Sequence, residues 1–222
     1  MSDDTQHRVV RFRSAVVEGW PLYRRTFPWR ETSDPFLLLV AEMMLRRTNA
    51  QQVTKVYCAF EQRFGTPAAL AEANEDEMAA LLTPLGLPWR IPAFKQAAAT
   101  IRDQYGGCVP STRSELLALA GVGDYVAGAV LSIGHLKPEW MVDSNFVRVA
   151  KRCFGLQTSR EGRRDRDVIA VAKEYANCAD PRSANLALLD FAAAICRAHK
   201  PRCGDCPVAD QCLSQDPPPT SD

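Results

Sequence analysis

The sequence lacks any hydrophobic run that approaches the roughly 20 consecutive apolar residues of a transmembrane helix. Its first residues are charged and lack the apolar core of a secretory signal peptide. There is also little net charge. The total of +1 at pH 7 neither requires nor excludes a polyanionic partner, because a basic face can coexist with a balanced total. We therefore expect a cytoplasmic protein without a membrane anchor.

Alternation of apolar and polar residues, the pattern of half-buried β-strands, is also nearly absent. With 46% hydrophobic residues among 222, the chain can nevertheless bury a sizeable core. Its apolar residues recur at helical spacing in the segments 8–26, 35–48, 50–64, 66–82, 92–105, 112–119, 124–136, 144–154, 165–177 and 183–195. Short turns rich in glycine and proline separate them. We predict an all-α fold and a disordered tail at 215–222.

The cysteines do not suggest a disulfide framework. Of eight, four are scattered, and the others lie close together as Cys196, Cys203, Cys206 and Cys212. In an intracellular chain such crowding favours a metal site. Four thiolates suit either a tetrahedral zinc ion or an iron–sulfur cluster. Zinc sites usually contain two closely spaced ligand couples, whereas only Cys203 and Cys206 form one here.

A candidate helix–hairpin–helix sequence lies in the middle of the chain. Thr112 to Glu115 has capping-box spacing and opens a helix, and Gly121-Val122-Gly123 leads into a second helix from Tyr125. The two glycines permit a tight turn whose backbone N–H groups can hold a phosphate oxygen. The alternative is an ordinary turn between packed helices.

Glu42 is an acidic residue in an otherwise apolar helical segment. The helix is predicted to be capped by Asp34, with Pro35 at its first position. Burial favours the protonated form of a carboxyl group, which suits Glu42 to donate a proton. The alternative is an ion pair, for example with Arg46.

Asp143 stands where a helix N-cap is expected, directly before Ser144. Capping alone would explain an aspartate there. The two roles are compatible, because N–H donors keep a capping carboxylate ionised and fixed. A fixed anion stabilises the oxocarbenium character that a sugar develops when its glycosidic bond breaks. Glu42 as acid and Asp143 as anion would therefore divide the tasks of such a cleavage.

Several motifs follow one another in the order found in helix-hairpin-helix DNA glycosylases of the endonuclease III superfamily. They are Phe27-Pro28-Trp29-Arg30, Asp34-Pro35, Glu42 to Thr48, Gly121-Val122-Gly123, Val142 to Val149 and the cysteine loop. The chain resembles this family over residues 20–212, most of all its Mig-type thymine glycosylases and next the MutY adenine glycosylases. The resemblance implies a helical barrel domain (30–136) and a cluster domain (1–29 and 137–214) that flank a cleft. It also favours a 4Fe-4S cluster on the four cysteines over zinc.

The resemblance implies the reaction type through Tyr125. Members that also nick DNA have lysine at this position, and its amine forms an imine with the sugar. Tyrosine has no amine, which implies hydrolysis with little or no lyase activity. Tyr125 would therefore complete a catalytic set with Glu42 and Asp143.

The implied partner is double-stranded DNA with a mismatched or damaged base, bound by a monomer in the nucleoid. The hairpin Gly121-Val122-Gly123 would hold a phosphate. Thymine-type members share Arg46 and Arg47, and we expect Arg47 above all to enter the gap of the flipped base or to contact the widowed guanine. Both arginines could instead be solvated cations that the helix dipole favours.

We therefore predict removal of thymine or uracil opposite guanine in base-excision repair. One alternative is removal of adenine opposite guanine or oxidised guanine. Another is a non-catalytic DNA-binding iron–sulfur protein, against which the presence of Glu42 and Asp143 argues.

In this family the loop at 86–95 helps to wedge DNA. Here it has two prolines and is about one residue shorter, which leaves the lesion preference open.

Overall fold

The computed structural model describes residues 3–214, and these contain helices and no β-strand. The all-α prediction is confirmed for this part of the chain. The α-helices are α1 (Asp3–Gly19), α2 (Pro28–Glu31), α3 (Pro35–Leu45), α4 (Ala50–Phe64), α5 (Pro67–Glu72), α6 (Glu75–Leu82), α7 (Ile91–Gln104), α8 (Arg113–Ala118), α9 (Asp124–Ala129), α10 (Ser144–Phe154), α11 (Arg166–Ala176) and α12 (Pro181–Ala194). The predicted disordered tail, 215–222, lies outside the described residues.

Two predicted helices have different limits in the structure. The segment 66–82 is not one helix, because the chain breaks at Ala73 and Asn74, and the Asn74 side chain caps α6 by accepting from Asp76 N at 2.8 Å. The first helix begins at Asp3 and ends at Gly19, and Pro21 follows in a short 3₁₀ turn. Local side-chain capping and proline thus end helices that the apolar periodicity would continue.

The chain divides into two compact units. One is continuous from Thr26 to His135, and the other combines the residues up to Arg25 with those from Leu136 onward. The sequence-based boundaries lie at 29/30 and 136/137, and as boundaries of functional domains they stay a prediction.

The continuous unit has its own apolar core. Helix α3 is buried along nearly its whole length and packs against α4 and α9. Trp29 and Tyr57 meet edge to face with ring centroids 5.6 Å apart. Phe60 and Phe64 extend this aromatic cluster along α4. The core therefore surrounds the helix that carries Glu42.

The discontinuous unit is built around α1, α10, α11 and α12. Phe12 of α1 lies 5.7 Å from Phe191 and 5.9 Å from Tyr175, measured between ring centroids. Asp190, whose side chain is fully buried, accepts from Arg25 Nε at 2.6 Å and from Trp20 Nε1 at 2.9 Å. This network fixes the point at which the chain leaves the unit for Thr26. Within residues 3–214, no helix is both long and apolar enough to span a membrane.

Candidate functional site

Helix α3 positions Glu42. The predicted cap is present, because Asp34 Oδ1 accepts a hydrogen bond from Phe36 N at 2.8 Å and Pro35 occupies the first position. Glu42 is 4% exposed and is surrounded along the helix by buried apolar residues. The carboxyl group is thus withdrawn from bulk solvent, as its apolar sequence context predicts.

The carboxyl end of α3 is held by an arginine that the sequence analysis did not single out. Arg90, which is 7% exposed, donates from one guanidinium nitrogen to Met43 O at 3.1 Å and to Arg46 O at 2.7 Å. Thr48 satisfies the intervening carbonyls of Met44 and Leu45. Every carbonyl from Met43 to Arg46 therefore has a donor, which a helix end otherwise lacks.

Arg46 and Arg47 leave this helix end in different ways. Arg46 Nη1 donates to Gly121 O at 2.6 Å and so ties α3 to the hairpin. Arg47 has φ 62°, a left-handed conformation that costs a non-glycine residue about 1–3 kcal/mol. Both side chains are exposed.

The hairpin joins α8 to α9. Gly121 has φ 78°, and a Cβ there would lie 3.1 Å from Met43 Cε and 3.2 Å from Ala93 Cβ, so this position requires glycine. Val122 N donates to Leu119 O at 3.2 Å and closes the turn. Gly123 has open space beside its Cα. The predicted capping at Thr112 is also present, with Oγ1 accepting from Glu115 N at 3.4 Å.

Tyr125 lies in the first turn of α9. Its side chain is half-buried and packs against the core of the continuous unit. Glu42, Arg46, Arg47, the hairpin and Tyr125 therefore all belong to this unit. Asp143 and the four clustered cysteines belong to the discontinuous unit.

Asp143 caps α10, as predicted. Its Oδ1 accepts from Phe146 N at 2.7 Å, and its Oδ2 accepts from the Asn145 side-chain amide at 2.7 Å. Both oxygens are therefore engaged, so the carboxylate is held in one orientation. The side chain remains half-exposed.

A chain of hydrogen bonds leads from Asp143 to the first clustered cysteine. Asn145 Oδ1 accepts from Arg148 Nη1 at 2.9 Å. Arg148 in turn donates from Nε to Cys196 O at 3.0 Å and from Nη2 to Ala192 O at 2.8 Å. Side chains of α10 thus connect the candidate catalytic carboxylate with the backbone of the cysteine loop.

The four predicted cysteines line one pocket: Cys196, Cys203, Cys206 and Cys212. Arg152 and a fifth cysteine, Cys153, line it as well. Arg152 Nη1 lies 3.6 Å from Cys196 Sγ. Four thiols around a common space are a donor set that suits an iron–sulfur cluster, and the nearby guanidinium would offset the negative charge of the thiolate ligands.

The thiols of the pocket differ in acidity. A hydrogen bond with Cys153, whose Sγ is 3.9 Å away, lowers the pKa of Cys212 to about 6 and raises that of Cys153. Burial raises the pKa of Cys206 to about 11. Among residues 3–214, no three His, Cys, Asp or Glu side chains converge tightly enough to hold a single metal ion.

The comparisons place the chain in a family. Residues 40–174 match the model described as "HhH-GPD superfamily base excision DNA repair protein". The chain belongs to this superfamily. The similarity extends well beyond the matched region in individual relatives.

This superfamily member is 37% identical over 212 residues to a thymine-DNA glycosylase of Aeropyrum pernix, covering 93% of this chain and 95% of the relative. It is 35% identical to a thymine/uracil-DNA glycosylase of Pyrobaculum aerophilum, covering 90% and 89%. An adenine DNA glycosylase of Schizosaccharomyces pombe is 28% identical, but the match covers only 50% of that longer protein and 94% of this chain.

Among solved structures, a thermostable thymine-DNA glycosylase matches with a TM-score of 0.88 and 34% identity, over 95% of this chain and 98% of the other. The family and fold expected from the motifs are thereby confirmed.

The sequence analysis did not predict three residues that contact the candidate site residues or their neighbours. They are Arg90, Arg148 and Cys153. Arg90 lies more than 40 positions from the carbonyls it holds, and no local pattern marks it. Arg148 follows Asn145 by three residues on α10, a spacing that places helical side chains on one face and so indicates their pairing. Cys153 gave no signal, since its pairing with Cys212 depends on the fold.

Proposed function

We propose that this protein is a monofunctional DNA glycosylase that removes thymine or uracil opposite guanine. The observation that carries the proposal is the Asp143 carboxylate, which is half-exposed and held by hydrogen bonds to both oxygens. Such a preorganised anion suits the stabilisation of a cationic sugar. The choice of base rests on the relatives named thymine or thymine/uracil glycosylases, which the chain matches over nearly their whole length.

In the proposed reaction the bond between C1′ and the base nitrogen breaks, and its electron pair leaves with the base. The base takes up a proton, for which the buried carboxyl group of Glu42 is the proposed donor. Asp143 stabilises the positive charge on the sugar. A water oxygen then bonds to C1′ and loses one proton, which restores the protonated carboxyl group of Glu42 and leaves an abasic site.

Tyr125 determines that water, and not the protein, attacks the sugar. A phenol cannot form the imine on which strand cleavage by bifunctional members depends. We therefore propose a product strand that stays intact until alkali cleaves it at the abasic site.

For DNA contacts we propose Arg47 and the hairpin. The backbone of Gly121 to Gly123 would hold a phosphate, mainly through the glycines, because Val122 N closes the turn. Arg47 would contact the guanine left after the opposite base is displaced. Arg46 would instead support the hairpin, since its guanidinium donates a hydrogen bond to Gly121 O.

For the cysteine pocket we propose a 4Fe-4S cluster held by Cys196, Cys203, Cys206 and Cys212. The four thiols that share one pocket support it. When bound, the cluster would supply a rigid, covalent anchor for the loop. Arg152 would balance its charge and Arg148 would hold the backbone beside it.

The test uses labelled duplexes that contain G·T, G·U, A·G or A·oxidised-guanine pairs, each analysed with and without hot alkali. Alkali-dependent nicks on the G·T and G·U duplexes are the expected result. Selective cleavage at adenine would instead support the adenine glycosylase alternative. Excision from none of the four would contradict the proposal and favour a non-catalytic DNA-binding protein.

The matched control is Asp143→Asn, which keeps the size of the side chain and one oxygen to accept from Phe146 N. We expect it to lose at least about a hundredfold in single-turnover rate while it still binds DNA. Excision by this variant at the wild-type rate would remove Asp143 from the mechanism.

A further inference from the structure

The turn that follows α3 is held in an uncommon backbone conformation. Arg47 has φ 62°, which non-glycine residues rarely adopt unless surrounding contacts impose it, and such residues cluster at functional sites. The peptide plane that precedes Arg47 contains Arg46 O. Arg90 donates to that oxygen at 2.7 Å, so its guanidinium fixes one side of the Arg47 backbone.

Arg90 is well suited to impose this geometry. It is 7% exposed, and its second hydrogen bond, to Met43 O at 3.1 Å, anchors it on the last turn of α3. Its guanidinium carbon lies 4.6 Å from the centroid of the Trp89 ring, which restricts it further. The same guanidinium nitrogen thus spans the helix end and the turn.

The charges around the turn argue against a purely structural cap. Burial, and then the positive charges of Arg46 and Arg47, lower the pKa of Arg90. A neutral donor would cap the carbonyls without this repulsion. Three clustered guanidinium groups instead produce a strongly positive helix end, which is favourable when an anionic or acceptor-rich ligand binds there.

The two exposed arginines, Arg46 and Arg47, differ in their side-chain hydrogen bonds. The Arg46 side chain donates to Gly121 O at 2.6 Å, whereas the Arg47 side chain makes no hydrogen bond or ion pair within residues 3–214. Arg47 is therefore the guanidinium that the turn leaves available to a ligand.

We propose that Arg90 is a positioning residue that presents Arg47 to the guanine of a mispaired duplex by fixing the left-handed turn between them. The proposal rests on the proposed glycosylase function, in which Arg47 contacts that guanine. Arg90 itself does not touch DNA, and its effect passes through Arg47.

A double-mutant cycle tests this dependence. The variants are Arg47→Ala, Arg90→Met and the two together. The readout is the equilibrium affinity for a duplex with an uncleavable abasic analogue opposite guanine, compared with a fully paired duplex. Arg47→Ala is expected to weaken specific binding about tenfold. Arg90→Met should weaken it to a similar extent, and the double variant should be no weaker than Arg47→Ala within about twofold.

Arg102→Met is the matched control. It removes one positive charge from the same unit, but Arg102 pairs with Asp103 and Glu72 on α7 and α5, away from the turn. Its specific binding should stay within about twofold of wild type.

The proposal would be overturned if the losses in affinity multiply in the double variant, so that the two changes in binding free energy simply add. Unchanged binding by Arg90→Met would overturn it as well. If Arg90→Met yields too little folded protein, Arg90→Lys is used in the same cycle, since it retains a buried cation and a donor. The wild-type excision assay on G·T and G·U duplexes separates the two proposals. Its failure would contradict the glycosylase function, whereas an additive cycle in an active enzyme would contradict only the role of Arg90.

Discussion

The proposed reaction depends on single side chains, and Tyr125 is the simplest of them to test. Tyr125→Lys would place an amine in the first turn of α9. If the proposed reaction is correct, this amine should attack C1′, so nicks should appear without alkali and the protein should be trapped on DNA by borohydride. Tyr125→Phe is the control, which should excise the base without trapping. No trapped species with Tyr125→Lys would argue against a place for residue 125 beside the sugar.

The capping residues could be predicted from the sequence, and the long-range partners could not. Asp34 and Asp143 both cap as predicted, because an N-cap depends on residues two or three positions away. Arg90 contacts residues more than 40 positions away, so its role depends on how α3 and the 86–90 segment pack. The roles of Glu42 and Tyr125 in catalysis stay predictions that the assays above test.

At the scale of elements, α10 connects Asp143 with the cysteine loop through Arg148. Arg148→Met would leave Asn145 Oδ1 and two carbonyls without this donor, and so loosen the carboxylate orientation. We expect the single-turnover excision rate to fall about tenfold or more. Lys151→Met, on the exposed face of the same helix, should retain the wild-type rate. Equal rates in both variants would show that Asp143 does not depend on Arg148.

Helix α12 begins at a cap whose strength should depend on pH. Hydrogen bonds from Ser183, whose N lies 2.9 Å from Asp180 Oδ1, lower the pKa of Asp180. Asp180→Ala should therefore reduce the free energy of unfolding by about 1 kcal/mol at pH 7. A lowered pKa in the folded state means that this stabilisation is present above the unfolded-state pKa and is lost as the pH falls. The difference from wild type should therefore shrink below about pH 4.

The measurement for this cap is urea unfolding of both proteins between neutral and acidic pH. Asp210→Asn is the control, because Asp210 is 72% exposed and lies 3.8 Å from Arg11. A difference for Asp180→Ala that stays constant into acid would contradict the assigned charge dependence.

The limits of the elements were harder to predict than their existence. The apolar spacing indicated one helix over 66–82, but Asn74 accepts from two N–H groups and starts a new helix. The segment 124–136 also changes character, since α9 ends at Ala129 and a wider π-turn runs from Val130 to Gly134. The apolar periodicity indicates which residues are buried. It does not distinguish an α-helix from a π-turn, because both forms bury these residues.

At the scale of the whole molecule, the two units have separate apolar cores, so loss of the proposed cluster should affect them unequally. Cys206→Ser should lower the iron content. Amides of α10 and α12 should then exchange about tenfold faster or more, while those of α3 and α7 stay protected. Cys58→Ser, an exposed cysteine of the continuous unit, is the control. Unchanged exchange in α10 and α12 would argue that the pocket needs no bound group.

The family and the all-helical class could be predicted because whole motifs in the sequence identify them. The contacts between residues that are distant in sequence could not be predicted. The cysteine spacing predicted four ligands around one site, and the four do line one pocket. It did not predict Cys153 or Arg152 beside them, because both come from α10, which is more than 40 residues away in sequence.

The discontinuous unit also determines the order in which the chain can fold as it is synthesised. Arg13 of α1 donates to carbonyls of Glu174 and Tyr175, and Phe12 packs on Phe191, all of which leave the ribosome long after α1. The segment from Thr26 to His135 contains its complete core and can condense first. The apolar face of helix α1 stays exposed until α11 and α12 have left the ribosome. Protection of that face is therefore a need of the nascent chain that the finished enzyme no longer has.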